Sequence, residues 1–492
     1  MSVTKLLQRW LPQRYGYNLV VVGAGAAGLV SAYLAAAAGA RVALIEQARM
    51  GGDCLNRGCV PSKALLRAAH LAQQMRQADR YGLPRQDIEV DFAQVMERVQ
   101  QAIRTIEPHD SVERYQALGV DCFHGQARLL SGHEVAVGDR VLTTRRIVLA
   151  TGATPVVPEL PGLDSVDYYT SDTIWSLRRQ PRRLIVVGGG PIGCELAQAF
   201  NRLGSQVVQV VHGERLLKRE DRAVSELVQQ VFHGEGVELC LNHEGLQVAS
   251  QQGEIVLTCR VGEETRTIHG DALLFAVGRQ PMTQGLGLDA LEVTVERHGA
   301  LQADGMLRTS VPSIYCAGDV VGPYQFTHMA AHQAATASMN ALFDRVWRRR
   351  VDQSLVPWTT FVDPEVARVG VNEQEAQRQG LAYELSRFDY GELDRAVTDG
   401  HTRGWIQVLT VPGKDTILGV TIVGAHAGDC LAEFVLAMKN GLGLKKILAA
   451  IHVYPTLAEG NKLVAGDWQR RHLPAALMPW LKRFHGWMRR VS

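Results

Sequence analysis

Two cysteines, Cys54 and Cys59, lie five positions apart in the segment Gly51-Gly-Asp-Cys-Leu-Asn-Arg-Gly-Cys-Val-Pro-Ser-Lys63. On a regular helix they would be about one and a half turns apart, so this spacing alone does not bring the two sulfurs together. The glycines of the segment allow a distorted first turn that closes the pair to bonding distance. The positive end of the following helix would lower a thiol pKa and stabilise the thiolate. The segment therefore predicts a redox-active dithiol.

A glycine-rich turn precedes the cysteine pair. From Asn18 the chain reads as an apolar strand, a glycine turn, an alanine-rich helix and a second apolar strand that ends at Glu46, which is a βαβ unit. The turn has the pattern G-x-G-x-x-G, formed by Gly23, Gly25 and Gly28. Such glycines let the backbone approach a pyrophosphate at a helix N-terminus, and Glu46 is placed to accept hydrogen bonds from a ribose.

A second βαβ unit begins at Arg183, and its glycines are Gly188, Gly190 and Gly193. Two such units imply two nucleotides, most economically a flavin dinucleotide and a nicotinamide dinucleotide. The strand after the second turn ends without a carboxylate that could select a free ribose 2′-hydroxyl. The basic residues there, His212, Arg215 and Lys218, could instead meet a 2′-phosphate, which favours NADPH over NADH. The alternative is that they form a solvated loop.

Composition limits the class of protein. The 492 residues suffice for about three domains. The formal net charge of +2 and the absence of a long basic tract in the folded body argue against a nucleic-acid partner. The eight cysteines stand mostly alone in apolar surroundings, which fits a reducing compartment. The sequence has no apolar stretch typical of a signal peptide or a membrane span, so we expect a cytoplasmic protein.

The remaining pattern predicts further elements. Helices are expected from Pro61 to about Tyr81, from Phe92 to about Leu118 and from Phe326 to about Arg350. After Val356 the composition changes to alternating strands within 358–370, 405–411 and 417–424, followed by helices at about 429–440 and 445–452. This part reads as a separate α+β domain.

Several motifs together resemble the class I pyridine nucleotide-disulfide oxidoreductases, the family that contains dihydrolipoyl dehydrogenase, glutathione reductase and mercuric reductase. The segments that carry the resemblance are GGDCLNRGCVPSK (51–63), ATG (150–152), GGGPIGCE (188–195), AVGRQP (276–281) and CAGD (316–319). The resemblance extends over about residues 18–466.

The resemblance implies an α/β fold with two Rossmann-like dinucleotide-binding domains, for FAD and NAD(P)H, and a C-terminal α+β dimerisation domain. The expected FAD domain is 17–155 and 280–350, the NAD(P)H domain 156–279 and the dimerisation domain 356–466, with basic amphipathic extensions at 1–16 and 467–492. It also implies a homodimer in which each active site is completed by the partner subunit.

Residue roles follow from the resemblance by position. Cys59 would face the flavin as the charge-transfer thiolate, and Cys54 would be the interchange thiol that meets the substrate. Lys63 and Glu195 match the ion pair beside the flavin N5. The other implied cofactor contacts are Gly52, Thr151, Gly152 and Asp319 for FAD and Gly278 for NADPH. Pro191 stands where the family commonly has an aromatic lid over the nicotinamide pocket.

The C-terminal segment departs from the family's disulfide reductases. Those enzymes use a histidine, oriented by a glutamate five residues later, as the acid–base for thiol–disulfide exchange. Counting back five residues from Glu459 gives Tyr454, a poor proton shuttle at neutral pH, while His452 lies two residues away and could substitute. A tyrosine here also resembles mercuric reductase, whose soft metal substrate needs thiolates and no histidine. The vicinal C-terminal cysteines of that enzyme are absent, because no cysteine follows Cys430.

Three hypotheses remain open. The first is a mercuric-reductase-like enzyme that reduces another small acceptor or a soft metal ion held transiently at the cysteine pair. The second is a disulfide reductase, and the third is an electron-transfer flavoprotein at a membrane surface that serves a quinone or a protein. The termini suggest the third. After Asp467 the chain has six Lys/Arg and no acid, and one helical face collects Leu477, Trp480, Leu481, Phe484, Trp487 and Met488. Residues 1–17 show the same mixture of basic and large apolar residues over a shorter stretch. The alternative is that these stripes pack on the dimer, and Pro474 and Pro479 limit helix length.

Overall fold

The computed structural model describes residues 15–344, 346–474 and 477–490, with the side chain of residue 477 excepted. The predicted N-terminal amphipathic segment lies almost wholly outside the described residues. None of the described helices is long and apolar enough to cross a bilayer.

The strands, numbered in chain order, are β1 (Tyr17–Val22), β2 (Val42–Glu46), β3 (Val120–His124), β4 (Ala127–Ser131), β5 (Glu134–Val137), β6 (Arg140–Leu149), β7 (Ala153–Pro155), β8 (Tyr169–Thr170), β9 (Arg183–Val187), β10 (Gln206–Val211), β11 (Glu238–Leu241), β12 (Glu244–Gln251), β13 (Glu254–Val261), β14 (Glu264–Gly270), β15 (Ala272–Phe275), β16 (Arg279–Pro281), β17 (Ile314–Cys316), β18 (Trp358–Thr360), β19 (Glu365–Gly370), β20 (Glu384–Asp389), β21 (Trp405–Thr410) and β22 (Ile417–Gly424).

The helices are α1 (Ala26–Ala37), α2 (Gly52–Asn56), α3 (Cys59–Arg76), α4 (Phe92–Ile106), α5 (Val112–Ala117), α6 (Pro191–Leu203), α7 (Arg222–Gly234), α8 (Thr327–Phe343), α9 (Glu373–Gln379), α10 (Asp394–Thr398), α11 (Ala427–Lys439), α12 (Leu444–Ala449), α13 (Glu459–Arg471) and α14 (Leu477–Met488). Short 3-10 helices cover Ala78–Tyr81, Glu107–Asp110, Leu163–Ser165, Ile174–Ser176, Asp289–Leu291 and Tyr390–Glu392.

The chain divides into two compact units, which are described separately. The first comprises the described residues within 1–76, 86–212 and 242–352, and the second those within 77–85, 213–241 and 353–492.

The first unit contains two sheets with parallel strands of the kind that bind dinucleotides, and in the first of them the antiparallel strands β5 and β4 continue the order beyond β6. In one sheet the order is β3-β2-β1-β6, with β17 on β6, and β1 pairs parallel with both neighbours (Val20 opposite Ala43 and Ile147). In the other, β10, β9, β15 and β8 are parallel neighbours. Because the carboxyl ends of parallel strands meet at one edge, each sheet gathers its following loops into a single crevice.

Small side chains permit close helix packing over the first sheet. Helices α1 and α8 meet through buried alanines, among them Ala32, Ala334 and Ala337, and the apolar β1 residues Leu19 and Val21 complete this core. Helix α8 ends earlier than predicted, at Phe343, because the Asn340 amide donates to the Arg349 carbonyl (2.7 Å) and accepts from its N–H (2.8 Å), which folds the following segment back.

Two other predicted helices are also shorter. The helix predicted to reach Tyr81 is α3, which ends at Arg76 and is followed by a 3-10 turn. The helix predicted from Phe92 to Leu118 is divided into α4 and α5 by a 3-10 turn that contains Pro108, and the Ser111 hydroxyl caps α5 by accepting the Arg114 N–H at 3.3 Å.

The second unit contains the residues of the predicted α+β domain together with 77–85 and 213–241. Its antiparallel sheet has the order β18-β19-β22-β21-β20. Large apolar side chains from strands and helices form its core, including Ile406, Val420, Phe434 and Trp468. The α/β class, with two dinucleotide-binding sheets and a C-terminal α+β domain, is confirmed.

Candidate functional site

The first glycine turn follows β1 and is shaped as a phosphate cradle. Gly23 has a φ of +99°, and a Cβ there would lie 2.4 Å from the Ala150 carbonyl oxygen. A Cβ on Gly28 would lie 1.7 Å from the Gly23 oxygen, so the third glycine lets α1 pack against the turn. A Cβ on Gly25 would meet only the Gly52 Cα, at 3.8 Å. The middle glycine therefore opens onto free space at a helix N-terminus, which fits a pyrophosphate.

Glu46 closes this cradle. One carboxylate oxygen accepts the Ala24 N–H and the other the Ala48 N–H, each at 2.7 Å. A cavity of about 500 Å³ is lined by Glu46, Arg49, His124 and further residues of β2 and β3. Its size and the carboxylate at its wall suit the adenosine end of a dinucleotide.

Two more predicted FAD contacts lie at the same sheet edge. The Thr151 hydroxyl donates to the Met282 carbonyl at 2.6 Å, and Gly152, with a φ of +73°, has open space where a Cβ would be. Asp319 follows β17, and burial raises its pKa to about 6 although Arg279 acts to lower it. The residues of this crevice thus fit FAD.

The second glycine turn repeats the first. A Cβ on Gly188 would lie 2.3 Å from the Ala276 oxygen, and one on Gly193 would lie 2.4 Å from the Gly188 oxygen. A Cβ added to Gly190 or Gly278 would have nothing within 4 Å, so both glycines face open space. Pro191 is the first residue of α6 and donates no N–H there.

The basic residues predicted to select NADPH fall in different units. His212 is exposed at the end of β10 in the first unit. In the second unit, the Arg215 guanidinium donates to the Lys218 carbonyl (3.2 Å) and to the Gln374 side chain, while Lys218 is exposed.

The cysteine segment is a broken helix, as the glycines predicted. Gly51 and Gly52 have φ values of +84° and +56°, and α2 ends before α3 begins at Cys59. The Asp53 carbonyl accepts the N–H groups of both Arg57 (2.8 Å) and Gly58 (2.7 Å), which tightens the turn between the helices. Both cysteines are free thiols. The break brings the two thiols close enough for each to shift the pKa of the other.

The two thiols are electrostatically unequal. The hydrogen bond from Cys54 lowers the pKa of Cys59 to about 6, helped by Thr327 and the positive charge of Lys63 and opposed by burial. The same hydrogen bond, together with burial, raises the pKa of Cys54. Thr327, whose hydroxyl lies 3.4 Å from the Cys59 sulfur, was not identified from the sequence. The thiolate therefore resides on Cys59 and the proton on Cys54.

The predicted ion pair is formed. Lys63 on α3 lies 2.8 Å from the Glu195 carboxylate on α6, whose side chain is 7% exposed. Its ammonium group also donates to Ser62 at 3.3 Å. A buried carboxylate of this kind requires such a partner.

An ionic cluster behind the cysteine turn was missed by sequence reasoning. The Arg279 side chain is 10% exposed, and its guanidinium lies 3.2 Å from Asp53 and 3.8 Å from Asp172. It also donates to the Ala153 carbonyl at 2.7 Å. Asp172 in turn binds Arg57 at 2.9 Å. The available signal is the AVGRQP motif (276–281), of which only Gly278 is a predicted contact.

Of the two candidate acid–base residues near the C-terminus, Tyr454 is exposed and the His452 side chain is buried. Tyr454 is 65% exposed, and its hydroxyl donates to Asp394 at 2.9 Å, which raises its pKa. The His452 side chain is 8% exposed; Nε2 lies 3.0 Å from Glu433 and Nδ1 lies 3.2 Å from the Ala450 carbonyl. Glu459, the first residue of α13, is not the partner of His452. Asp394 and Glu433 were not identified from the sequence.

This site defines a two-nucleotide oxidoreductase that works through a paired thiol. The pyridine nucleotide-disulphide oxidoreductase model matches residues 17–335, and the dimerisation-domain model of the same group matches residues 356–465. The chain belongs to the pyridine nucleotide-disulphide oxidoreductase family. It is therefore a flavin-dependent enzyme of class I with a pyridine nucleotide as electron donor, and the dimerisation domain supports a homodimer.

Individual relatives carry different activities. The chain is 34% identical over 455 residues to a dihydrolipoyl dehydrogenase of Chlamydia muridarum, covering 90% of this chain and 95% of that protein. It is also 34% identical over 450 residues to a mercuric reductase of Lysinibacillus sphaericus, covering 91% and 82%. A solved structure of the HOCl-induced flavoprotein disulfide reductase RclA from Escherichia coli, in complex with Cu(II), has a TM-score of 0.81 and 27% identity over 92% of this chain and 99% of that chain.

Proposed function

We propose that the protein passes an electron pair from NADPH through FAD to the Cys54–Cys59 disulfide, and that the dithiol so formed reduces a soft metal ion such as Hg(II). Residues 17–155 and 280–350 hold FAD, residues 156–279 hold NADPH and residues 356–466 form the dimer. Bound FAD supplies two-electron transfer between the nicotinamide and the sulfur pair.

The chain's own residues set up the dithiol. Cys59 carries the thiolate, stabilised by Cys54, Thr327 and Lys63. Oxidation of the Cys59 thiolate and the Cys54 thiol to one disulfide releases two electrons and one proton, and the two electrons reduce one Hg(II) to Hg(0). Soft cations prefer thiolate ligands, so the same two sulfurs serve as ligands and as reductant.

The observation that carries this choice of acceptor is the position of Tyr454 and His452. The position at which the family's disulfide reductases have a histidine base holds an exposed tyrosine bonded to Asp394. His452 cannot readily take its place, because its side chain is buried and both ring nitrogens are engaged. A metal ion requires no such base. The mercuric reductases and the Cu(II) complex of RclA among the similar proteins support the same chemistry.

An acceptor screen tests the proposal. FAD-loaded protein with NADPH and excess thiol should oxidise NADPH in proportion to added Hg(II). Cys59→Ala should abolish this rate, while Cys122→Ala, which changes a free and partly buried cysteine on β3, should retain it. No Hg(II)-dependent rate above the oxygen background would contradict the proposal.

The alternative is a disulfide reductase, favoured by the similarity to dihydrolipoyl dehydrogenase and to the disulfide reductase RclA. Lipoamide and glutathione disulfide belong in the same screen. A rate with either that exceeds the Hg(II) rate, and that is lost in His452→Ala but kept in Tyr454→Phe, would replace the first proposal.

The nucleotide preference is a separate part of the proposal. Within the second unit, we assign the 2′-phosphate of NADPH to Arg215 and Lys218. The Arg215 contacts with Gln374 and the Lys218 carbonyl hold one face of the guanidinium, and its remaining N–H groups are the donors assigned to phosphate. Equal rates of flavin reduction by NADH and NADPH would contradict this assignment.

We place the enzyme in the cytoplasm, with a peripheral contact to the membrane through its C-terminal helix. At that surface, a quinone or a protein is the alternative acceptor. The contact itself is independent of the acceptor.

A further inference from the structure

The helix α14 carries an aromatic face that is exposed to solvent. Trp480 and Trp487 are each 58% exposed, Met488 is 51% exposed and Phe484 is 39% exposed. The Phe484 ring stacks on Trp480 with 5.5 Å between centroids and lies 6.2 Å from Trp487. These positions follow a spacing of three and four residues, so the side chains form one continuous stripe along the helix.

The charged side chains of α14 and of the two residues directly after it are basic. Lys482, Arg483, Arg489 and Arg490 are all exposed. At about 100° per residue, Lys482 lies opposite the aromatic stripe and Arg483 borders it beside Trp487, while Arg489 and Arg490 directly follow the last residue of the helix. Residues 468–490 contain no aspartate or glutamate. The charged side chains of this helix and of the two residues after it are therefore all cationic.

We propose that α14 is a docking helix for anionic lipid, lying parallel to the membrane with Trp480, Phe484 and Trp487 inserted at the headgroup boundary. Tryptophan suits this boundary because its ring is apolar and its N–H remains hydrogen-bonded. The four basic side chains complement anionic headgroups, and long Lys and Arg stems reach back to them from a helix lying in the interface. The twelve residues of α14 are too few to span a bilayer.

Charge distinguishes lipid from a second copy of the chain as the occupant. Two α14 helices packed along their aromatic stripes would bring together the Arg483 side chains that border the stripe, with no acid on either helix to compensate them. A lipid surface supplies both an apolar layer and negative charge. This inference rests on the proposed membrane contact and deepens it by naming anionic lipid as the partner. Because α14 contains neither the thiols nor the nucleotide cradles, its failure would leave the proposed redox function standing.

Vesicle sedimentation of the FAD-loaded full chain tests the proposal. The probes are vesicles of phosphatidylcholine alone and of phosphatidylcholine with phosphatidylglycerol. Each basic residue near an anionic surface strengthens binding by about fivefold. Binding should therefore require phosphatidylglycerol, weaken with salt, and fall by about 25-fold or more in Lys482→Glu/Arg483→Glu. The triple variant Trp480→Ala/Phe484→Ala/Trp487→Ala should fall by at least about tenfold, on the order expected for three aromatic side chains.

A matched control has the same change of charge elsewhere. Arg348 and Arg349 are exposed in the first unit, and Arg348→Glu/Arg349→Glu should leave vesicle binding within about threefold of the unmodified chain. FAD content and sedimentation velocity identify variants that misfold or change their oligomeric state. The proposal would be overturned if the aromatic triple variant bound vesicles as well as the unmodified chain does. It would also be overturned if Arg348→Glu/Arg349→Glu lost as much binding as Lys482→Glu/Arg483→Glu. Dissociation of the dimer by the triple variant would identify a protein interface instead and would also overturn it.

Discussion

Arg279 takes no part in the redox reaction, but we expect it to stabilise the turn that carries the two cysteines. Its guanidinium, 10% exposed, lies 3.2 Å from Asp53 within the turn and 3.8 Å from Asp172. The change Arg279→Met keeps the length of the stem and removes the charge. It leaves two carboxylates behind, and the pKa of Asp53, already raised by burial, should rise further because Arg279 acts to lower it.

The expected loss in the free energy of unfolding depends on the contacts that Asp53 and Asp172 keep after the change. Removing one partner of a buried ion pair costs about 3–5 kcal/mol. Asp172 keeps Arg57 at 2.9 Å, and the Asp53 side chain is 38% exposed, so water screens part of the loss. We therefore expect the free energy of unfolding of the first unit to fall by about 2 kcal/mol.

Urea-induced release of FAD from the first unit measures this change. Arg297→Met, which removes an exposed arginine of the same unit, should change the free energy of unfolding by less than about 0.5 kcal/mol. Adding Asp53→Asn to Arg279→Met removes the uncompensated carboxylate and should recover about 1 kcal/mol. The reasoning is refuted if Arg279→Met unfolds like the control, or if Asp53→Asn adds a further full loss.

The remaining predictions concern the thiols and their surroundings. Alkylation of Cys59 in the dithiol form should accelerate as pH rises through about 6, because the thiolate forms above this pKa; an inflection at about pH 8 or higher would contradict the assigned thiolate. In Cys54→Ala the inflection should move to higher pH, since the strongest stabilising hydrogen bond is lost. Lys63→Met should lower the free energy of unfolding by about 2 kcal/mol because it removes the cation 2.8 Å from the buried Glu195, and Glu195→Gln should recover part of it in the double variant, measured by urea. Tyr454→Phe should change the Hg(II)-dependent rate by less than about twofold, because no proton transfer is assigned to it.

Local patterns predicted the parts of the site that are contiguous in sequence. Each glycine turn follows a strand and begins a helix, so its conformation is encoded within six residues, and the break between Cys54 and Cys59 follows from the adjacent glycines. The family resemblance supplied the Lys63–Glu195 pair, which joins residues 132 positions apart. No periodicity could have supplied that pair.

The contacts that were missed are long-range and have no local signature. Thr327 reaches Cys59 from 268 positions away, at the first turn of α8. Counting along the chain could not find the partner of His452. The expected glutamate is Glu459, but the observed partner is Glu433, which lies 19 positions earlier on α11. Spacing rules describe neighbours on one element, whereas these partners are chosen by how separate elements pack.

The unequal thiols and the engaged histidine bear on the same question, which is how the Cys54 proton leaves. Cys54 retains its proton because the thiolate beside it raises the Cys54 pKa. A disulfide substrate attacked by Cys54 would need a base to accept this proton, and both nitrogens of His452 are engaged. A soft metal cation displaces the proton by binding to the sulfur, so the reaction supplies its own driving force for deprotonation. The electrostatics of the pair thus favour an acceptor that is a thiophilic cation, independently of the tyrosine that first suggested it.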